Sequence, residues 1–419
     1  MKKKKKVIVV GGGFAGIQFV KNLDESLFDV LLIDKINHYQ FQPLFYQVAT
    51  SQIEPSSISF PLRNIFHGKK NVQIRLTELL SVDKIKKKIK TTIGEFHYDY
   101  LVIAMGCTTN YFGNENIKKN SLSLKTTYDA IKIRNHVLKN FERIISATEE
   151  EKQSYLNLVI IGAGPTGVEL AGSFAEIKKN ILPKDYPRID FSRFKIILIE
   201  GTKHTLNNFG DRSRAESEKY LRKMGVTVMT ETMVKDYDGT NLILGNGDVI
   251  KTKTVIWAAG VTGNKIDGLS RTMFGPGNRL KVNRINQLQK CVNIFALGDI
   301  AYMETPRYPR GHPQVANVAI NQAKNLARNL KAMNQSNHPI DYEYHDFGSM
   351  ATVGTNKAVV DFAHMHFKGF VAWLMWMFLH LMLILSVKNK VLIFVNWAWA
   401  YITKNTSLRL ILTDTEVEE

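Results

Sequence analysis

Cysteine is nearly missing from this sequence. Cys107 and Cys291 are the only two; they lie far apart and form no C-x-x-C, which argues against a disulfide framework or a dithiol redox motif and fits a reducing compartment. No paired Cys/His spacing marks a zinc finger, so no metal site is expected. Acidic residues are in deficit, with 56 Lys+Arg against 38 Asp+Glu and a formal net charge of +18. That excess suits nucleic acid, an anionic membrane surface or plain solubility. The lysine runs at 2–6, 86–88 and 118–119 lack interleaved stacking aromatics, and no nucleic-acid partner is expected. No secretory leader is expected: behind Met1 and the basic residues 2–6 only four apolar residues precede the glycines. That is too short for an h-region, so the chain is expected to stay on the cytoplasmic side.

What is present begins at residues 7–34. The apolar strand Val7-Ile8-Val9-Val10 runs into Gly11-Gly12-Gly13-Phe14-Ala15-Gly16 and then a helix, a G-x-G-x-x-G in the right context. Gly11 permits the tight turn, Gly13 leaves room for a pyrophosphate, and Gly16 lets helix and strand lie close. The helix N-terminus offers unpaired N–H groups to the phosphates. A second strand ends at Asp34, followed by Lys35, where the acid can accept from a ribose 2′-OH. The pattern then returns. Leu158-Val159-Ile160-Ile161 leads into Gly162-Ala163-Gly164-Pro165-Thr166-Gly167, and the strand after it ends at Glu200, delayed by an apparent insertion at 178–194. Glu200 favours a free 2′-OH and repels a 2′-phosphate, so NADH is preferred to NADPH. Two dinucleotides are therefore expected, in a chain whose 419 residues, 44% hydrophobic, allow two or three domains.

Between these landmarks, residues 72–90 alternate as strands with a solvated face, residues 127–151 read as one helix, and a helix is expected from about Pro313 to Leu330. Ala104 to Gly106 and Ala258-Ala259-Gly260 are strand ends in small residues, suited to a ligand's phosphate or ribose or to a tight turn. Asp299, after Gly298 at another strand end, reads equally as a helix cap or as a partner for a ribityl hydroxyl. Residues 38–49 form an ordered loop, either a packed surface turn or a cofactor contact.

The C-terminal stretch is different. Residues 369–387 carry no formal charge, and His380 is their only strongly polar side chain, a run long enough to span a bilayer. After Lys388-Asn389-Lys390 only about a dozen apolar residues follow, too few for a return span. A hairpin lying in the interface fits better than a single spanning helix, with Lys388, Lys390, Lys404 and Arg409 toward anionic headgroups and Trp373, Trp376, Trp397 and Trp399 at the boundary. A homodimer interface can use the same surface.

Taken in order, these glycine turns, small-residue strand ends and the Gly298-Asp299 pair resemble the two-dinucleotide-binding flavoprotein reductases over about residues 1–330. The resemblance implies FAD in the first fold, contacted by Gly11, Gly13, Phe14, Ala15, Gly16, Asp34, Lys35, Ala104, Gly106, Gly298 and Asp299. NAD(H) then lies in the second, at Gly162, Gly164, Pro165, Thr166, Gly167, Glu200, Ala259 and Gly260. It also implies α/β domains at 1–120 and 276–335 for FAD, with 121–275 inserted for NAD(H), and a small α+β membrane-docking region at 336–419. Lacking the cysteine pair of many members, the chain fits neither disulfide reduction nor sulfide oxidation.

Three stretches narrow the likeness to the type II NADH:quinone oxidoreductases, single-subunit and non-pumping. They are His38 to Ala49, the Pro165 to Gly172 run with Glu169, and the tail from Lys368 to Trp399. That family's quinone-site helix carries Ala-Gln-x-Ala-x-Gln, where this chain has Asn317 and Asn321, with Gln322 next. Asn is one methylene shorter, which bears on quinone affinity more than on flavin chemistry. The resemblance implies a peripheral protein on the cytoplasmic face of the inner membrane, with Glu169 as a proton relay to a membrane quinone and Asn317 and Asn321 as quinone contacts. From the residues alone, Glu169 is equally an acid in a helix's first turn, favoured by the dipole, and Asn317 an amide bonded to nearby backbone. Lys357, within a stretch resembling a family strand pair, reads as a solvated strand residue. A flavoprotein reductase of a soluble acceptor and a low-turnover NADH sensor are the rival readings.

Overall fold

The computed structural model describes residues 3–412 apart from His364 and Ser407. Met1, Lys2 of the basic run and residues 413–419 of the expected docking region lie outside the described residues. The chain divides into two compact units.

The first unit comprises residues 1–40, 60–108 and 261–345. Its five-stranded parallel sheet runs, edge to edge, Ile294–Ala296, Tyr100–Ile103, Lys5–Val10, Phe28–Asp34 and Val72–Leu76. Val7 to Val10 and Leu101 to Ile103 are buried throughout, as expected where helices cover both faces of a parallel sheet. A late segment thus completes a sheet begun at the N-terminus. Helix Phe14–Asn22 packs on helix Ala316–Asn334, which starts three residues after Pro313 and runs four past Leu330.

The second unit comprises residues 41–59, 109–260 and 346–419. Its parallel sheet has the order Leu122–Ser123, Thr254–Trp257, Asn157–Ile161, Lys195–Ile199, Val226–Met229. The helix expected over 127–151 is two helices, Thr127–Ser146 and Glu149–Tyr155. Thr148 and Glu151 form a second capping box behind that of Thr126 and Asp129, so the backbone restarts there. An antiparallel sheet of Ser349–Thr352, Ala358–Phe362 and Met365–Lys368 leads to helices Gly369–Leu383 and Val387–Thr403. Gly172 is small because the sheet's first turn presses on helix Pro165–Asn180: a Cβ there would stand 2.9 Å from Gly354 N. The sheet packs on the first C-terminal helix through Val360 and Ala372.

The uncharged run at 369–387 is not one helix. It breaks after Leu383, and among the described residues no helix is long and apolar enough to cross a membrane. Two of the four expected boundary tryptophans point inward: Trp376 is 1% and Trp397 8% exposed, against 60% for Trp399. Helices apolar on every side give no periodic cue to which side chain faces the core.

Candidate functional site

The first glycine turn is held by its own acid. Asp34 Oδ2 accepts from Gly12 N at 2.6 Å and Oδ1 from Ile36 N at 2.9 Å. Burial raises the Asp34 pKa, opposed by those amides. Gly11 has φ +108°, and a Cβ on Gly16 would lie 1.9 Å from Gly11 O, so the turn is closed to any larger residue at either place. Gly13 is the opposite: nothing lies within 4 Å of where its Cβ would be, and the same holds at Gly106. Phe14 sets its ring edge-on to Tyr39 at 5.4 Å; Ala15 is buried and Lys35 exposed. Ala104 abuts Gly11 through its carbonyl.

The second turn repeats this plan. Glu200 Oε2 accepts from Ala163 N at 2.7 Å, and Oε1 from Thr202 N and Oγ1, each at 2.9 Å. Gly162 has φ +99°, a Cβ on Gly167 would lie 1.9 Å from Gly162 O, and Gly164 is open. Pro165 and Thr166 stand exposed at the helix start. Gly260 has φ +78° and meets only Phe112 and Asn110; Ala259 before it is half-buried. In both turns the acid clamps the loop, a role that spacing alone did not reveal. A carboxylate has acceptor capacity left for a ribose hydroxyl. A closed turn, an open third position and helix N–H groups above it form a cradle that fits a pyrophosphate in each unit.

Asp299 caps no long helix: the N-cap of helix Ala316–Asn334 is Val315. It lies in the short helical turn Gly298–Ile300, and its backbone O accepts from Arg279 Nε at 2.9 Å and Gln314 Nε2 at 3.1 Å. Gly298 N donates to Gln322 Oε1 at 2.9 Å. Gln322 is fully buried, and its Nε2 has no partner among the described residues. An orphaned donor beside the Asp299 loop suits a polar cofactor. Arg279 and Gln314 went unseen in the sequence, and Gln322 was noted there without this role, because their partners are remote in the chain. Asn317 is exposed and Asn321 half-buried.

In the second unit, residues 41–49 form short helices, largely buried, and not a surface turn. They meet Glu169, which stands in the second turn of helix Pro165–Asn180 and not the first. Glu169 is 8% exposed. Burial pushes its pKa up to about 8, partly offset by the Thr352 backbone and the Trp376 indole. The indole N–H lies near the carboxyl without hydrogen-bond geometry. Tyr46 Oη accepts from Gln47 Nε2 at 3.0 Å, and Gln47 Oε1 accepts from Trp397 Nε1 at 2.8 Å. Burial and the neighbouring Glu169 hold the Tyr46 phenol well above its usual range. His380 stacks on Trp376 with ring centroids 3.9 Å apart. Its Nδ1 is 2.8 Å from Trp376 O, so Nδ1 carries the proton, and burial lowers its pKa to about 4. At neutral pH the cluster is an uncharged acid, phenol and imidazole, arranged to hold protons. Lys357 sits in the turn between two strands, half-buried, and not within a strand.

Two acid-clamped cradles, one in each unit, define a flavoprotein oxidoreductase with two dinucleotide folds. The family model described as pyridine nucleotide-disulphide oxidoreductase matches residues 5–323, and that of the NDH2 C-terminal domain matches residues 347–405. The chain is 31% identical to the type II NADH:quinone oxidoreductase Ndh of Mycobacterium tuberculosis, over 97% of this chain and 89% of that one. It is 30% identical to NdhA of the same organism, over 94% and 86%. The solved structure of NDH2 from Plasmodium falciparum in complex with NADH matches with a TM-score of 0.89 at 21% identity, over 98% of this chain and 100% of that one. The chain belongs to the type II NADH:quinone oxidoreductase family, and its cofactors are FAD and NAD(H).

Proposed function

We propose that this protein oxidises NADH and delivers the two electrons to a membrane quinone without pumping protons. The observation that carries the reading is the doubled cradle, each copy with its own acid clamp. FAD is assigned to the first, along Gly11 to Gly16, Asp34, Gly106 and Asp299, and NAD(H) to the second, along Gly162 to Gly167, Glu200 and Gly260. FAD bound there would supply the two-electron redox chemistry. The chain's own residues orient the nucleotides and manage protons. Reduction of a quinone consumes two protons, and Glu169 holds one at neutral pH in a buried site, which supports it as the proton donor. Asn317 and Asn321 are the proposed quinone contacts.

A membrane acceptor needs a protein that reaches the bilayer. The two C-terminal helices expose Val371, Phe378, Phe394 and Ile402 among other apolar side chains, which supports interfacial docking as a peripheral protein; the cytoplasmic face is the side proposed. A homodimer is the alternative use of that surface. The test is NADH oxidation by the purified flavoprotein in vesicles with and without a hydrophobic quinone. The expected result is turnover that requires the quinone; flavin reduction with no quinone-dependent turnover would point to a soluble acceptor or a sensor.

A further inference from the structure

The second unit contains a cavity of about 620 Å³, whose inner end shares Tyr46, Gln47, Trp376 and Trp397 with the cluster at Glu169 and whose remaining lining the redox reading does not use. One wall is aromatic, with Trp373 stacked on Tyr401 at 5.6 Å. The other is cationic: Lys179, Lys223, Lys357 and Lys404 line it, and Glu176 is the only acidic lining residue. Burial raises the Glu176 pKa, opposed by Thr355, whose N donates to its Oε1, and by the charge of Lys357. Four lysines against one carboxyl leave the lining net positive, complementary to an anionic group. A neutral quinone ring offers no charge to match it. The Thr406 hydroxyl, also lining the cavity, is buried without a partner among the described residues.

The aromatic wall continues into a greasy surface. Trp373 and Met377 line the cavity, while Leu374 and Phe378 of the same helix are 46% and 67% exposed. A ligand with an anionic head and an apolar tail therefore satisfies both walls at once: the head among the lysines, the tail along helix Gly369–Leu383. We infer that this cavity seats the phosphate-bearing headgroup of an anionic phospholipid. The site needs nothing from the assignment of electron donor or acceptor.

The test uses the full-length flavoprotein and short-chain lipids kept monomeric, dihexanoyl phosphatidylglycerol and dihexanoyl phosphatidylcholine, with binding read by native mass spectrometry and tryptophan fluorescence. Saturable binding of the anionic lipid is expected, weakened roughly tenfold or more by K357Q/K404Q and unchanged by K388Q/K390Q, whose lysines lie outside the lining. K179Q/K223Q, altering a different part of the same wall, gives an independent reading should the first pair misfold; flavin absorbance and melting temperature report folding. Equal affinity for the two lipids, indifferent to the lysine changes, would overturn the proposal in favour of a plain apolar slot. Competition by inorganic phosphate at concentrations comparable to the lipid would overturn it in favour of a free anion. Displacement of the lipid by a short-tailed neutral quinone that binds the lysine variants equally well would hand the cavity to the electron acceptor. A dimer that excludes the lipid would give it to a second copy of the chain.

Discussion

Glu169 is where burial matters most at the scale of a single residue. A carboxyl raised from its usual 4.5 to about 8 takes up a proton on folding throughout that interval. Its contribution to stability is complete below about 4.5 and declines as pH rises toward 8. E169Q should therefore flatten the fall in unfolding free energy between these values, measured by denaturant titration at several pH values. The same variant should slow quinone reduction by about a hundredfold while leaving the rate of flavin reduction by NADH near that of wild type. If both half-reactions slow together, Glu169 orients the nucleotide and does not donate a proton. Glu200 makes a separable prediction. E200Q keeps an acceptor for Ala163 N but removes the charge that repels a 2′-phosphate, so the preference for NADH over NADPH should shrink about tenfold in kcat/KM. An unchanged ratio would mean that the acid serves only its clamp.

At the scale of elements, the cradles separate two uses of glycine. G16A drives a methyl group into Gly11 O, where the gap is 1.9 Å, and should abolish soluble expression of the first fold. G13A meets nothing in the protein and should fold, yet lose most of its FAD; full flavin content in that variant would move the pyrophosphate elsewhere. The turns and their acids were legible in the sequence because strand, turn, helix and acid lie within a few dozen residues. The ties of Arg279 and Gln314 to the Asp299 backbone, and of Gln322 to Gly298, were not legible, since each joins residues whose proximity only the finished sheet decides. The C-terminal helices were half legible. Their apolar length pointed to a pair of apolar helices, but it could not show that Trp376 and Trp397 turn inward to Glu169 and Gln47, or that the first helix stops at Leu383. Charging their outer face tests the docking role: F378E with F394E should lower co-sedimentation with anionic vesicles several-fold, and unchanged sedimentation would leave that face to a dimer.

For the whole molecule, each unit is assembled from three separate stretches of chain; the first cradle draws on residues nearly three hundred apart, Gly11 and Asp299, whereas the second lies within the single stretch 109–260. The formal charge of +18 fits attraction to an anionic membrane better than any nucleic-acid role, given the absence of a reading module in the sequence. What unites these features is the claim that electrons enter from NADH and leave to a lipid-soluble quinone through one bound flavin. The most direct test is an anaerobic titration of the purified, vesicle-bound protein followed by flavin absorbance. Stoichiometric bleaching by NADH and full recovery on adding a hydrophobic quinone are predicted. A flavin that NADH does not bleach, or one that stays reduced in the presence of the quinone, would contradict the account.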